Sequence, residues 1–170
     1  THHHRDQAIG AEALAAAGAR LGVPAAERRW FEEVASFWGE LRYRWHLYDE
    51  RPGLLVPARP LPVHEAYGDG EAIAWGGATI AVMETPGHTD GSLSYVVALP
   101  DGQRFAFTGD LIYGPGQLWD LHSLQKGWTT RDYHGYLGDR QRLLESLEQV
   151  VAAGPAALGP SHGALMPDPA

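Results

Sequence analysis

The chain has 170 residues, of which 44% are apolar and 20% charged, a composition typical of one globular domain that can bury a core. Its net charge of −8, with histidine counted as neutral, disfavours binding to nucleic acids or anionic membranes, and the lack of cysteine excludes disulfides, thiolate metal sites and a cysteine nucleophile. No apolar run approaches the ~20 residues that cross a bilayer and no signal peptide is recognisable, so we expect a cytoplasmic protein that acts on a small molecule.

The first part of the sequence predicts two helices. An alanine-rich segment at 8–21 has apolar residues near helical spacing, and Asp6 stands where its N-cap would be. A second helix is predicted at 24–39, because proline is favoured in a first turn and Trp30 and Val34 belong to an apolar stripe. The remaining predictions in this part are a strand or an extended loop at 42–48 and a proline-rich irregular connection at 51–62.

The second part of the sequence predicts mainly β-structure. Gly76-Gly77 between two apolar runs predicts a hairpin, and Pro100-Asp101-Gly102 predicts another. A late helix is predicted at 130–151, with Leu143 and Leu144 among its inward residues. The predicted strands are 72–75, 78–83, 93–99, 104–107 and 156–158.

Side chains that can bind metals follow three of these strands, each beside a glycine that permits a sharp turn. His88 follows the first hairpin, Asp110 follows the second, and His162 follows the last short strand. Loops at one edge of a sheet scaffold are common places for binding and catalytic residues. We therefore expect a site at this edge.

A fourth group of such side chains opens the chain, in Thr1-His2-His3-His4-Arg5-Asp6-Gln7. In an extended segment, His2, His4 and Asp6 share one face. Neutral imidazole and carboxylate suit zinc, or iron and manganese where coordination positions stay open. Adjacent histidines also occur in remnants of purification tags, but here the sequence continues directly into a helix-like segment and ligand types recur at three further places.

Four motifs follow one another along the chain: His-x-His-x-Asp, Pro-Gly-His-Thr, Thr-Gly-Asp and Ser-His-Gly. Together they resemble the metallo-β-lactamase superfamily of hydrolases over nearly the whole chain. The resemblance implies a mixed α/β (α+β) fold, an αββα sandwich with metals at one edge. It also implies two metal sites, with Asp110 bridging between them. The implied ligands are His2, His4 and His88 for the first metal, and Asp6, Asp110 and His162 for the second.

Two features depart from the pattern of that family. Its first motif ends in Asp-His, whereas this chain has Gln7, whose neutral amide oxygen is a poorer ligand than imidazole. We therefore expect one tight zinc site and a second site that is weaker or empty, with Gln7 as a weak ligand. The family also carries several strands before its first motif, so we expect residues 1–170 to form a single domain that is incomplete at its N-terminus and part of a longer chain.

The chemistry predicted from these ligands is metal-dependent hydrolysis. A metal with three protein ligands keeps a position for water and lowers the pKa of that water to near ~7. Asp6 would orient the water and move a proton to the leaving group. The bond cleaved would belong to an ester, thioester, amide or phosphoester. Zinc is the expected metal, with Fe2+ or Mn2+ as alternatives.

Two alternative functions remain open from the sequence. Some relatives in the superfamily use a single iron ion to oxidise a persulfide sulfur, and His4, His88 and Asp110 would fit such a facial arrangement. The chain could instead be a non-catalytic module that keeps the fold for binding a partner. A serine–histidine hydrolase is disfavoured, because the sequence has no Gly-x-Ser-x-Gly motif.

Several residues are candidates for a substrate pocket. His3 would support the metal ligands, line the entrance of the site, or be an exposed spectator. The segment after Asp110 is rich in aromatic residues and glycine, which is typical of a pocket wall and equally of packing beneath a long loop. Its candidate pocket residues are Tyr113, Trp119, His122 and Trp128.

Overall fold

The structure is a computed structural model that describes residues 1–39, 56–116 and 139–169. The chain divides into two compact units. The N-terminal unit is His2–Tyr67, and the C-terminal unit is Gly68–Ala170 together with Thr1. Within the described ranges, no helix combines the length and the apolar character needed to cross a membrane.

The N-terminal unit combines short helices with a two-stranded parallel sheet. Its buried apolar cluster consists of Ala8, Val23, Phe31 and Leu61. Its elements are α1 (Arg5–Ala8), α2 (Ala11–Ala16), β1 (Leu21–Pro24), a 3-10 helix (Ala25–Glu27), α3 (Arg28–Glu32), α4 (Val34–Gly39) and β2 (Val63–Tyr67).

The single helix predicted at 8–21 is wrong. The chain forms α1 and α2 separately, and Leu21 begins strand β1, which pairs with β2. Gly10 separates the two helices, because glycine is among the least favourable residues in a helix interior. Ile9 and Leu14, predicted to be apolar contacts of one helix, are 75% and 63% exposed.

The helix predicted at 24–39 is confirmed in part. Helical structure begins after Pro24, which is the last residue of β1, but it is divided among the 3-10 helix, α3 and α4. Trp30 and Val34 are buried as predicted. The strand or extended loop predicted at 42–48 lies outside the described residues.

The C-terminal unit has a six-stranded sheet and one long helix. Its elements are β3 (Ala72–Trp75), β4 (Ala78–Glu84), β5 (Leu93–Ala98), β6 (Arg104–Gly109), α5 (Arg140–Ala152), β7 (Ala157–Pro160) and β8 (Met166–Pro167), with the strands in sequence order across the sheet. Only β6 and β7 are parallel among these neighbouring pairs. Both predicted hairpins and the last predicted strand are confirmed.

Helix α5 packs its apolar side on this sheet. Leu143 and Val150 are 2% and 0% exposed and form one cluster with Val96, Ala106 and Leu158 of the strands. The Asp139 side chain caps the helix by accepting a hydrogen bond from the backbone N–H of Arg142 at 3.1 Å. The prediction that Leu144 points inward is wrong, because the buried face repeats every three to four residues and Leu144 lies about 100° away from Leu143. The predicted residues 130–138 of this helix lie outside the described part.

Replacement of Leu143 by alanine should lower the free energy of unfolding by about 2–5 kcal/mol, since it leaves a cavity under α5. The matched control is Leu144→Ala on the same helix, where the side chain is 39% exposed and the loss should stay below about 1 kcal/mol. Urea unfolding followed by circular dichroism measures both. Equal losses in the two variants would contradict the packing of α5 described above.

Candidate metal centre

The loop that carries His88 is fixed by hydrogen bonds between its two ends. The backbone N–H of Thr85 donates to the carbonyl of Ser92 at 2.8 Å, and the backbone N–H of Thr89 donates to the Ser92 hydroxyl at 3.2 Å. The hydroxyl groups of Thr89 and Ser92 lie 2.6 Å apart. His88 itself is completely buried. The loop between β4 and β5 therefore holds its imidazole in one place.

Gly87 lets this loop touch the start of helix α5. Its φ angle is +144°, and a Cβ atom added there would lie 2.5 Å from Cα of Leu143, so no larger residue fits. The carbonyl of Gly87 also accepts a hydrogen bond from the backbone N–H of Asp139 at 2.9 Å. The Pro-Gly-His motif thus owes its glycine to close packing against a helix.

Asp110 lies at the centre of a cluster of polar side chains in the C-terminal unit. Its carboxylate is 3% exposed, and its Oδ2 atom accepts a hydrogen bond from the Tyr113 hydroxyl at 2.6 Å. Nε2 of His88 lies 3.4 Å from the same oxygen, and Nε2 of His162 lies 3.9 Å from it. These four residues, called the Asp110 cluster below, bring together the three ligand candidates that the sequence placed after different strands.

His162 is the exposed member of the Asp110 cluster. Its loop is tied to the end of β6, because the backbone N–H of Ser161 donates to the carbonyl of Gly109 at 2.9 Å. The imidazole stacks on the Tyr113 ring at a centroid distance of 5.4 Å and an angle of 6°. The side chain is 44% exposed, whereas that of His88 is 1% exposed. The cluster therefore has one buried side and one side that faces solvent.

In the N-terminal unit, His2 and His4 bring two ring nitrogens together. Nε2 of His2 lies 2.9 Å from Nδ1 of His4, and both residues are buried. His4 has extended dihedral angles, so the side chains of alternate residues fall on one face, as predicted. Two buried imidazole nitrogens at this separation are a donor set that suits zinc or iron.

His3 lies against a buried glutamate and also against the His4 ring, at a ring-centroid distance of 4.8 Å. Its Nδ1 atom and its backbone nitrogen lie 2.9 Å and 2.7 Å from Oε2 of Glu27. His3 is 0% exposed and Glu27 is 3% exposed, so the interpretation of His3 as an exposed spectator is wrong. Sequence reasoning missed Glu27, because it lies 24 residues away and belongs to no motif.

Asp6 and Gln7 lie in the first turn of α1. The backbone N–H of Gln7 donates to Oδ1 of Asp6 at 3.0 Å, and the side-chain amide nitrogen of Gln7 lies 3.5 Å from Oδ2. Asp6 is exposed and is not the predicted N-cap, because α1 begins at Arg5 and its cap position is occupied by His4. The carboxylate therefore lies on the surface of the N-terminal unit.

Thr1 precedes the histidine motif and is held by the C-terminal unit. Its carbonyl accepts a hydrogen bond from the backbone N–H of Leu93 at 2.9 Å. Its side chain packs on Gly109, where an added Cβ atom would lie 2.7 Å from the Thr1 Cβ atom. Gly109 has a φ angle of +57° and directly precedes Asp110. Thr1 is thus anchored next to the Asp110 cluster.

Of the other residues predicted to line a substrate pocket, the structure describes Tyr113 alone. Tyr113 belongs to the Asp110 cluster, as its hydrogen bond to the carboxylate and its stacking on His162 demonstrate. Trp119, His122 and Trp128 lie outside the described residues.

Comparisons with known proteins identify the family. A family model described as the metallo-β-lactamase superfamily matches residues 1–162. A probable metallo-hydrolase of Burkholderia pseudomallei (strain 1710b) is 33% identical over 115 residues, which cover 61% of this chain and 35% of that protein. The chain belongs to the metallo-β-lactamase superfamily, and the fold class predicted from its motifs is confirmed.

Solved structures agree with this assignment. A variant of the metallo-β-lactamase of Cronobacter sakazakii, described by its HARLDQ motif, is 25% identical with a TM-score of 0.62, covering 94% of this chain and 54% of that one. An archaeal metallo-β-lactamase superfamily protein from Sulfolobus tokodaii is 23% identical with a TM-score of 0.63, covering 92% of this chain and 56% of that one, and supports the fold alone. The chain spans about a third of the length of the curated relative and about half of these structures.

Proposed function

We propose that this chain is the metal-binding part of a hydrolase that uses one tightly bound divalent cation, zinc, on a small molecule with an ester, thioester, amide or phosphoester bond. The observation that carries the proposal is the pairing of the His2 and His4 ring nitrogens at 2.9 Å, together with the buried His88 beside Asp110. His2, His4 and His88 would hold the cation. The family and the probable metallo-hydrolase relative support this class of chemistry.

Covalent geometry supports a shared site for ligands from both units. Thr1 packs on Gly109, and Gly109 precedes Asp110. Because consecutive Cα atoms are about 3.8 Å apart, His2 has to begin close to Asp110. We therefore propose that both units belong to one domain.

The second metal position would be the weaker one. Its ligands would be Asp6, Asp110 and His162, with Gln7 in place of the usual histidine. An amide oxygen is neutral and binds a divalent cation less well than an imidazole nitrogen. The motif of the Cronobacter sakazakii enzyme, written HARLDQ, also ends in aspartate and glutamine, but it has arginine where this chain has His4. This chain would thus keep the histidine pair of the first site and weaken only the second.

The side chains around the cation would have separate roles in proton transfer, in orienting the Asp110 carboxylate and in contacting the substrate. A bound zinc ion would supply Lewis acidity, which lowers the pKa of water and polarises the bond to be cleaved. Asp6 is exposed and would accept a proton and pass it to the leaving group. Tyr113 holds the Asp110 carboxylate in one orientation through a charge-assisted hydrogen bond of 2.6 Å. His162, on the exposed side of the cluster, would face the substrate.

Replacement of His88 by alanine should abolish tight zinc binding and hydrolysis together, because it removes one of the three proposed ligands of the first site. The control is His64→Ala, since the His64 ring accepts a hydrogen bond from the backbone N–H of Leu21 at 3.0 Å, away from the proposed ligands. Zinc affinity by chelator competition and turnover of ester, thioester, β-lactam and phosphodiester substrates are the measurements. Unchanged zinc affinity in the His88 variant would contradict the proposal.

The metal content of dialysed protein should distinguish the two positions. We expect about one equivalent of zinc to survive exhaustive dialysis, and about two in Gln7→His, because that change restores an imidazole ligand to the second site. Gln103→His, a glutamine beside a surface turn, is the control and should retain one. Two equivalents held with equal affinity by the unchanged protein would refute the weak second site.

The same preparations test the other candidate functions. Oxygen consumption by iron-loaded protein, without hydrolysis by zinc-loaded protein, would indicate the persulfide oxygenase. Tight metal binding without turnover of any substrate would indicate a binding module.

A further inference from the structure

We infer that Glu27 is a positioning residue for the His2–His4 pair, acting through His3; this inference rests on the proposed function and concerns its first metal site. One carboxylate oxygen of Glu27 is 2.7 Å from the backbone nitrogen of His3 and 2.9 Å from its ring Nδ1. Glu27 therefore contacts both the main chain and the side chain of the residue between the two proposed ligands.

The direction of these hydrogen bonds follows from the chemistry of the acceptor. A carboxylate can only accept, so the backbone N–H and Nδ1–H of His3 both donate to Oε2 of Glu27. This fixes the tautomer of His3 and the plane of the peptide bond between His2 and His3. Both partners are buried, where hydrogen bonds to a charged group are strong and a carboxylate without donors would be costly.

Glu27 is itself held rigidly. It ends the 3-10 helix and precedes the first residue of α3. Trp30, one turn further, lies against the His3 ring at a centroid distance of 5.7 Å. Phe31 of the same helix belongs to the buried cluster of the N-terminal unit. The carboxylate is therefore attached to a packed element.

The His3 ring that contacts Glu27 also lies against the proposed ligand His4, at a ring-centroid distance of 4.8 Å. The ring nitrogens of His2 and His4 are 2.9 Å apart. Movement of the His3 backbone would displace both nitrogens at once. Partners that orient metal ligands commonly change metal affinity by about 10–100-fold when they are removed.

The test is a series of substitutions at Glu27, read as zinc affinity. Glu27→Met keeps the length of the side chain and removes the acceptor, so zinc binding should weaken by about 10–100-fold. Glu27→Gln keeps an oxygen that can accept, and should recover most of that loss. The control is Glu32→Met on α3, where the carboxylate forms a surface pair with Arg28 at 2.8 Å and zinc affinity should stay within about twofold.

Two further readouts separate positioning from folding. Circular dichroism and thermal unfolding of the metal-free variants establish that the compared proteins are folded. The visible spectrum of cobalt-substituted protein, which depends on ligand geometry, should change in Glu27→Met and not in Glu32→Met. If Glu27→Met does not fold, Glu27→Asp replaces it, and zinc binding should again weaken by about 10–100-fold. The shorter aspartate side chain keeps the negative charge but moves the accepting oxygen away from His3.

Each outcome decides the inference. A folded Glu27→Met that binds zinc within twofold of the unchanged protein, with the same cobalt spectrum, would overturn it and leave the proposed function intact. Equal losses of zinc affinity in Glu27→Met and Glu27→Gln would also overturn the inference. It would likewise be overturned if neither Glu27→Met nor Glu27→Asp folds with zinc present. If the unchanged protein binds no zinc, the proposed function itself fails.

Discussion

The buried carboxylate of Asp110 is the constraint on which the rest of the site depends. A charge that is 3% exposed is tolerated only with donors or a cation beside it. Tyr113 supplies one donor at 2.6 Å, and the nitrogen of His88 lies 3.4 Å away. The loops after β6 and β7 are tied to each other by the hydrogen bond from Ser161 to Gly109, and the loop after β4 is fixed by its own hydrogen bonds and by the contact of Gly87 with helix α5. The arrangement favours positive charge at the centre of the cluster, which is what the proposed cation would supply.

The histidine motif is held by a different set of contacts. Thr1 is fastened to the C-terminal unit at Leu93 and Gly109, while His3 is fastened to Glu27 of the N-terminal unit. Of the two proposed ligands, His2 lies between these attachments along the chain and His4 directly follows the second one. A ligand residue whose neighbours are already fixed loses less conformational entropy when it binds a metal than a free one would. In the proposed first site, these attachments would favour tight metal binding.

Local features were predictable from the sequence, and long-range ones were not. The hairpin at Gly76-Gly77 and the common face of His2 and His4 follow from turn chemistry and from the period of an extended chain. Strand β2 went unrecognised because its residues alternate weakly and its pairing with β1 is distant in sequence. The burial of Glu27 could not be predicted from its neighbours in the sequence either. An acidic residue is expected at the surface unless its hydrogen-bond donor is known, and here the donor is His3, 24 residues away. The metal identity and the substrate depend on such distant neighbours and stay proposals.

The most direct test of the central claim, that the N-terminal histidines and His88 share one cation, is zinc K-edge X-ray absorption on dialysed protein. The account predicts the scattering pattern of three imidazole rings around zinc at about 2.0–2.1 Å, and loss of this zinc on dialysis of His88→Ala. A zinc environment with one imidazole or none, or one that His88→Ala leaves unchanged, would contradict it.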